Sequence, residues 1–287
     1  SSSSRSLTQN GSPVASEFGP FTGSDGKGGL VWTKERTGNG VGYPGLFDTE
    51  RGGGKALYSN VTNAEGSTTA LTAFNSNGFT LGDNGVTNGD NSEYTSWTFR
   101  KAEGFMDIQT WTGNSASDRA ISHNLNTTVG MIIVKRLNSS EDWGVWHKDI
   151  HANTTKVLYL NKTDALTTSS NIFGATNPTS THFYVGDHPV SNNNGDTYVA
   201  YIFAHNNNDG TFGPDADQDI IKCGSYTSTG SAFEVNLGFE PQWLLVKRVS
   251  ADTEGNQAYH SWAIQDSMRG FTAPPDNLGT GYNNILW

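Results

Sequence analysis

Residues 130–136 read GMIIVKR, and the phrase returns twice: residues 29–36 read GLVWTKER and residues 242–248 read QWLLVKR. Each is an apolar run closed by a lysine and an arginine. The lysines stand at 34, 135 and 247, so the offsets are 135 − 34 = 101 and 247 − 135 = 112. Self-similarity on this scale points to a fold assembled from copies of one unit. Chains that reuse a unit build surfaces and spacers more readily than one unique catalytic pocket.

Outward from GMIIVKR, the second copy is the most complete. Residues 106–112 (MDIQTWT), 143–147 (WGVWH), 156–160 (KVLYL), 181–186 (THFYVG) and 197–204 (TYVAYIFA) are short runs rich in Val, Ile, Tyr, Phe and Trp. Asn, Gly, Ser and Thr clusters separate them. That is the pattern of strands in a sandwich or barrel, and no window shows a convincing helical period. The first copy matches in its second half: residues 78–83 (GFTLGD) against 182–187 (HFYVGD), and 93–99 (EYTSWTF) against 196–203 (DTYVAYIF). The third matches in its first half, where 235–237 (VNL) stand 112 residues after 123–125 (HNL), and 264–270 (IQDSMRG) match 46–52 (LFDTERG).

The expected organisation is a polar tail at 1–28, repeat 1 at 29–104, repeat 2 at 105–209 and an incomplete repeat 3 at 210–287. Repeat 1 has no obvious opening strand. The third copy stops where the pattern still asks for two strands, and the apolar Ile285–Leu286–Trp287 end looks like a segment that needs further chain or a partner. The expected fold class is all-β, as tandem small antiparallel β-sandwiches of lectin-like or jelly-roll-like type.

Composition narrows the function classes. The 287 residues carry a net charge of −10, and no cluster of Lys and Arg suits a phosphate backbone, so nucleic acid is not an expected partner. Cys223 is the single cysteine, so no intrachain disulfide forms and assembly in a reducing cytoplasm is acceptable. No apolar stretch has the length a membrane span needs, so membrane insertion is not expected.

Several elements together carry a family resemblance. They are the openers at 110–113 and 226–228, His123–Asn124–Leu125, the run IIVKR at 132–136, W-x-V-W-H at 143–147, F-x-x-G-D at 183–187 and YVAYIFA at 198–204. The combination resembles tandem repeat domains in structural proteins of tailed bacteriophages, especially marine and cyanobacterial ones. The resemblance covers nearly all of residues 29–270. It implies a virion component assembled in the host cytoplasm: a tail fibre, or a decoration of head or tail, oligomeric and without established catalysis. Its implied partners are other virion proteins, copies of itself and, as an alternative role, a host surface glycan bound for attachment. Val235 replaces His123 in the third copy, so that histidine cannot be essential to every repeat.

Each segment with a catalytic or ligand-like composition also has a plainer structural explanation. A polysaccharide depolymerase needs two carboxylates facing one groove. The alternating acids at 215–219 (DADQD) lie among Gly, Pro and Asn and read as a linker, and the adjacent Glu141 and Asp142 read as a turn. Asp209, Asp215, Asp217 and Asp219 are candidate calcium ligands, since hard cations take several oxygens and glycine allows tight curvature. The EF-hand order is missing there, and 84–91 is a weaker second candidate. No cofactor other than calcium is expected. His147 and His151 would diverge if 143–146 is a strand. There is no G-x-S-x-G nucleophile motif, and Cys223 reads as a small core residue on a strand. Gly52, Gly53, Gly54 and Lys55 form a turn rather than a phosphate loop. The recurrent aromatics, Trp97 with Tyr201 and Trp111 with Tyr226, read as core positions. The repeated lysine has two readings: a snorkelling stem over the core rim, or a charged contact to the next repeat or subunit.

Overall fold

The structure is a computed structural model describing residues 5–8, 21–22, 26–37, 42–150, 155–169, 171–251 and 260–269. Repeat 1 supplies β1 (Arg5–Thr8), β2 (Gly29–Thr37), β3 (Gly45–Asp48), β4 (Lys55–Tyr58), β5 (Gly66–Ser67), β6 (Leu71–Asn75), β7 (Gly78–Leu81) and β8 (Glu93–Arg100). Repeat 2 supplies β9 (Met106–Thr112), β10 (Arg119–Ser122), β11 (Val129–Arg136), β12 (Gly144–His147), β13 (Lys156–Tyr159), β14 (Thr167–Thr168), β15 (His182–Val185) and β16 (Thr197–Ala204). Repeat 3 supplies β17 (Trp243–Val246) and β18 (Ala263–Asp266). The described residues contain no α-helix. The protein is all-β, built of antiparallel sheets packed as sandwiches.

The large sheets of repeats 1 and 2 have one topology. Their strand orders are β5-β4-β3-β2-β8 and β14-β13-β12-β11-β16-β9. In each, the lysine strand lies between its hairpin partner and the strand that closes the repeat. Lys34 pairs with Thr95 across β2–β8, and Lys135 with Val199 across β11–β16. Each large sheet is covered by a small one, β1-β7-β6 in repeat 1 and β10-β15 in repeat 2.

The small sheets correct the reading of the N-terminus. Residues 5–8 are a strand rather than polar tail, with Arg5 opposite Leu81 and Leu7 opposite Phe79. Repeat 2 has the same register, with Arg119 opposite Val185 and Ile121 opposite Phe183. R-S-L-T in β1 thus answers R-A-I-S in β10. Four residues amid polar sequence give too little alternation to register as a strand, but an open β7 edge supplies the pairing. The remainder of the expected tail, apart from 21–22 and 26–28, lies outside the described residues.

Alternation along the lysine strand serves two cores. Ile132 and Val134 face the interior of repeat 2 with Ile121, Phe183 and Tyr198. Met131 and Ile133 face the other way, into a core shared with Leu30 and Trp32 of repeat 1 and Trp262 and Ile264 of repeat 3. Trp111, Ile132, Val134, Tyr198 and Phe203 are all buried. At about 1.5–3 kcal/mol for each large apolar side chain removed from water, this double-sided burial is what makes the strand the centre of its repeat.

Repeat 3 differs from expectation. Residues 220–242 form no strand, and Cys223 lies outside any sheet. Asn206 Oδ1 takes the amides of Ile220 and Ile221 (3.1 and 3.2 Å), and His205 Nδ1 takes that of Cys223 (3.3 Å). Side chains here stand in for a sheet partner. Burial pushes the Cys223 thiol up to about 12. Tyr226, the expected counterpart of buried Trp111, is 54% exposed. The Ile285–Leu286–Trp287 end and His151 lie outside the described residues.

Candidate functional site

The chemically richest positions are where one repeat meets the next. β3 of repeat 1 ends in Asp48, and a tight turn brings Arg51 back onto it. Arg51 Nε meets Asp48 Oδ2 at 2.5 Å, its amide meets Oδ1 at 2.9 Å, and Nη2 reaches Leu46 O at 2.9 Å. Both side chains are almost completely buried. The β3–β4 turn is glycine because it runs against β6: a Cβ on Gly53 would stand 2.2 Å from Thr72 O. Repeat 3 repeats the clasp atom for atom. Arg269 Nε meets Asp266 Oδ2 at 2.5 Å, its amide meets Oδ1 at 2.9 Å, and Nη2 reaches Ile264 O at 3.0 Å.

Each clasp receives a donor from the closing strand of a different repeat. Tyr201 of β16 donates its hydroxyl to Asp48 Oδ2 at 2.8 Å. Trp97 of β8 donates Nε1 to Asp266 Oδ2 at 3.0 Å, and its ring lies 5.2 Å from the Arg269 guanidinium carbon. Burial raises the Tyr201 phenol well above its usual range, keeping it a donor. Burial would also raise Asp266, but the Arg269 amide, Trp97 and the Arg269 guanidinium hold it below the usual carboxylate range.

The repeated lysines decide between their two readings. Lys135 is fully buried, and its Nζ donates to Thr62 O of repeat 1 at 3.1 Å and to Arg136 O at 2.9 Å. Lys247 does the same one repeat on, donating to Thr163 O of repeat 2 at 3.0 Å and to His260 O. The contact to the neighbouring repeat is what the structure contains. Burial lowers both lysines to about 8. Lys34 bonds within its own repeat, to Gly42 O at 3.1 Å.

Tryptophans and backbone complete the joints. Trp143 Nε1 donates to Tyr58 O and Val61 O (3.0 and 3.1 Å), and Trp262 Nε1 donates to Tyr159 O (2.9 Å). The Glu65 amide bonds Leu137 O at 2.7 Å, and the Leu166 amide bonds Val249 O at 3.0 Å. Thr62 and Thr163, Tyr58 and Tyr159, and Glu65 and Leu166 are each 101 residues apart. So repeat 2 docks on repeat 1 as repeat 3 docks on repeat 2, and repeat 1 reaches repeat 3 through Trp97. The contacts are head-to-tail and close around the shared core, as a heterologous interface does when its rotation completes a ring.

Repeat 2 is the odd member. The position of Asp48 and Asp266 is held by His147, opposite Met131 where Leu30 and Trp243 face the aspartates. Its Nδ1 accepts the Asp149 amide at 3.3 Å, and burial lowers its pKa.

The calcium candidates do not converge. Asp219 accepts the amides of Asn208 and Gly210, both at 2.8 Å. Burial would raise its pKa, but these amides hold it below the usual carboxylate range. Asp209 accepts the Asn207 amide at 2.6 Å. Asp215 and Asp217 are exposed. Among the described residues no three acidic, histidine or cysteine side chains gather as a metal ion requires. In the 84–91 loop, Asn84 Oδ1 is engaged by the Val86 amide at 2.9 Å. The Glu141 amide bonds Thr62 O of repeat 1 at 2.9 Å, and Asp142 pairs with Lys162 of its own repeat at 2.6 Å.

An open cleft of about 500 Å³ lies over the repeat 1–repeat 2 joint, bordered by Glu50, Arg51, Lys55, Glu65, Trp111 and Tyr198. Its charges are matched in pairs: Arg51 and Lys55 with Glu65 (3.3 and 3.0 Å), and Glu50 with Lys101 (2.6 Å). The Asp–Arg clasps were visible in sequence only as matching segments. D-x-x-R at 48–51 and 266–269 was the available signal, and the absence of that pair from repeat 2 obscured it.

Fold and joints together define a class: an all-β protein of sequence repeats whose buried polar groups lock the repeats onto one another. Residues 4–280 match the family described as Domain of unknown function (DUF7483), and the chain belongs to that family. No curated protein and no solved structure matches the chain.

Proposed function

We propose that the protein is a non-enzymatic structural component of a tailed-bacteriophage virion, a tail fibre or a decoration of head or tail, working as part of an oligomer. The observation that carries this reading is the reuse of one polar joint. Lys135 and Lys247, Trp143 and Trp262, and Tyr201 and Trp97 perform matching contacts at successive repeat boundaries. A chain that spends its most buried charges on holding copies of a unit together is built for assembly. The motif combination at 110–204 supports the same reading through its resemblance to phage virion repeats. The test is mass spectrometry and immunogold labelling of purified particles, with mass photometry of the isolated protein. The reading expects the protein in stoichiometric copies on the particle surface and multimeric in solution, with interfaces above roughly 1,000 Å². Its absence from particles would overturn the reading.

A host-attachment role is the second reading, favoured by Tyr43, which is 46% exposed and lies 5.5 Å from the Tyr58 ring. Exposed aromatic faces stack on sugars. Saturable binding on an array of host glycans, lost in Tyr43→Ala, would support it. An array without hits would remove it.

A further inference from the structure

The cleft over the repeat 1–repeat 2 joint has two walls of different chemistry. One is formed by β9 and β16 of repeat 2. Met106 and Ile108 of β9 enter the core shared by the repeats. Thr110 and Thr112 follow at alternate positions on the same face and are exposed. Thr112 stands opposite Thr197 of β16. The face that seals the joint thus changes from apolar to hydroxyl where the cleft begins. None of these three hydroxyls bonds another group among the described residues.

The other wall is charged, and position 65 separates what the joint needs from what the cleft presents. The Glu65 amide bonds Leu137 O, and at the next joint the Leu166 amide makes the matching bond to Val249 O. A leucine suffices there, so docking does not require the Glu65 carboxylate. That carboxylate stands at the cleft wall between Arg51 Nη1 at 3.3 Å and Lys55 Nζ at 3.0 Å.

The ligand class follows from the charges. Arg51 and Lys55 are neutralised by Asp48 and Glu65, and Glu50 by Lys101. Little field is left to concentrate an anion or a cation. Free hydroxyls and paired charges also give an apolar ligand little to bury against. They suit a neutral molecule dense in hydroxyls, whose bonds to water must be replaced on binding. A carboxylate accepts from two neighbouring hydroxyls, a guanidinium donates to oxygen, and a threonine hydroxyl does either. At about 500 Å³ the cleft has the size of a small-molecule site.

We infer that this cleft binds a neutral oligosaccharide, with Glu65, Arg51, Thr110, Thr112 and Thr197 as its hydrogen-bonding groups. The inference rests on the host-attachment reading and adds to Tyr43 a place where a sugar chain is held.

The probe is an array of neutral and uronate-bearing oligosaccharides, read with the full-length protein and followed by calorimetry of each hit. The expected hits are neutral, with affinities insensitive to added salt. Glu65→Leu copies the second joint and keeps the docking bond. It weakens the hits about tenfold or more, as the loss of a hydrogen bond to a charged group does. Thr112→Val removes one hydroxyl at an exposed strand position that valine suits, and weakens them about threefold or more. It leaves the ion pairs in place, so it carries the test if the melting curve shows Glu65→Leu to be unfolded. Hits that tolerate the cleft variants would overturn the inference. If Tyr43→Ala abolishes those same hits, the host-attachment reading stands without the cleft. Hits confined to uronates would also overturn the inference, and an array without hits would remove inference and reading together.

Discussion

The joint between repeats 1 and 2 is whole, whereas repeat 3 shares its joints in halves. At the first, the Asp48 clasp, Tyr201, Trp143 and Lys135 act together. Repeat 3 meets repeat 2 through Lys247 and Trp262, and meets repeat 1 through the Asp266 clasp and Trp97. The lysine strands record the difference. β11 is buried at seven of eight positions, while all four residues of β17 are half-buried. QWLLVKR is no less apolar than GMIIVKR. Among the described residues, β11 lies between β12 and β16 and β17 pairs with β18 alone, so the burial of a repeated strand follows its flanks.

The comparison breaks most sharply at the aspartates. Asp48→Ala leaves the Arg51 guanidinium buried beside a lost partner, and a cost of about 3–5 kcal/mol is expected. Asp266→Ala removes the same clasp where Arg269 is less enclosed, and about 1–3 kcal/mol is expected. Urea unfolding of the two variants gives the ratio. Equal losses would mean that the flanks do not matter.

The lysines sharpen it through pH. Burial lowers Lys135 from 10.5 to about 8, so the folded protein binds fewer protons than the unfolded chain between those values. Stability therefore rises with pH across that window, by up to about 3 kcal/mol for a fully buried lysine. Burial sets the direction for Lys135, while Glu141 and Asp142 favour its charged form and Arg136 disfavours it. Lys135→Met should flatten the rise in thermal stability from pH 8 to 10. Lys247→Met, at a half-buried position facing Asp164, should flatten it less. A wild-type protein that weakens steadily over this window would contradict the assignment.

Smaller effects belong to the tryptophans. Trp143→Phe loses an Nε1 donor shared by two carbonyls, and about 1–2 kcal/mol is expected. Trp262→Phe loses one such bond, and about 1 kcal/mol or less is expected. Identical melting curves for these variants and wild type would remove the tryptophans from the account of the joints.

The sequence made the strands legible and left their partners obscure, for a physical reason. Periodicity and composition report a residue's local conformation, so β11, β12, β13, β15 and β16 stood out as apolar runs. Partnership lies between distant segments. Lys135 and Thr62 are 73 residues apart, and Tyr201 and Asp48 are 153 apart. β1 went unread because four residues in polar surroundings alternate too briefly. The strand expected around Cys223 failed for the opposite cause: its pattern is present and its partner is not among the described residues. The acidic loop at 209–219 had a ligand-like composition. Asp219 turns its oxygens to the loop's own amides, a choice composition does not encode.

The central claim is that the repeats close on one another, and the contact between repeats 1 and 3 tests it most directly. Trp97 and Asp266 are 169 residues apart in the chain, with Nε1 and Oδ2 at 3.0 Å. A double-mutant cycle of Trp97→Phe and Asp266→Asn, read by chemical denaturation, isolates that contact. The account predicts a coupling of about 1 kcal/mol, because Trp97→Phe removes the Nε1 donor and Asp266→Asn removes the charge of the carboxylate that accepts from it. Additivity within about 0.3 kcal/mol would mean that repeat 1 does not hold repeat 3, and the ring would be open.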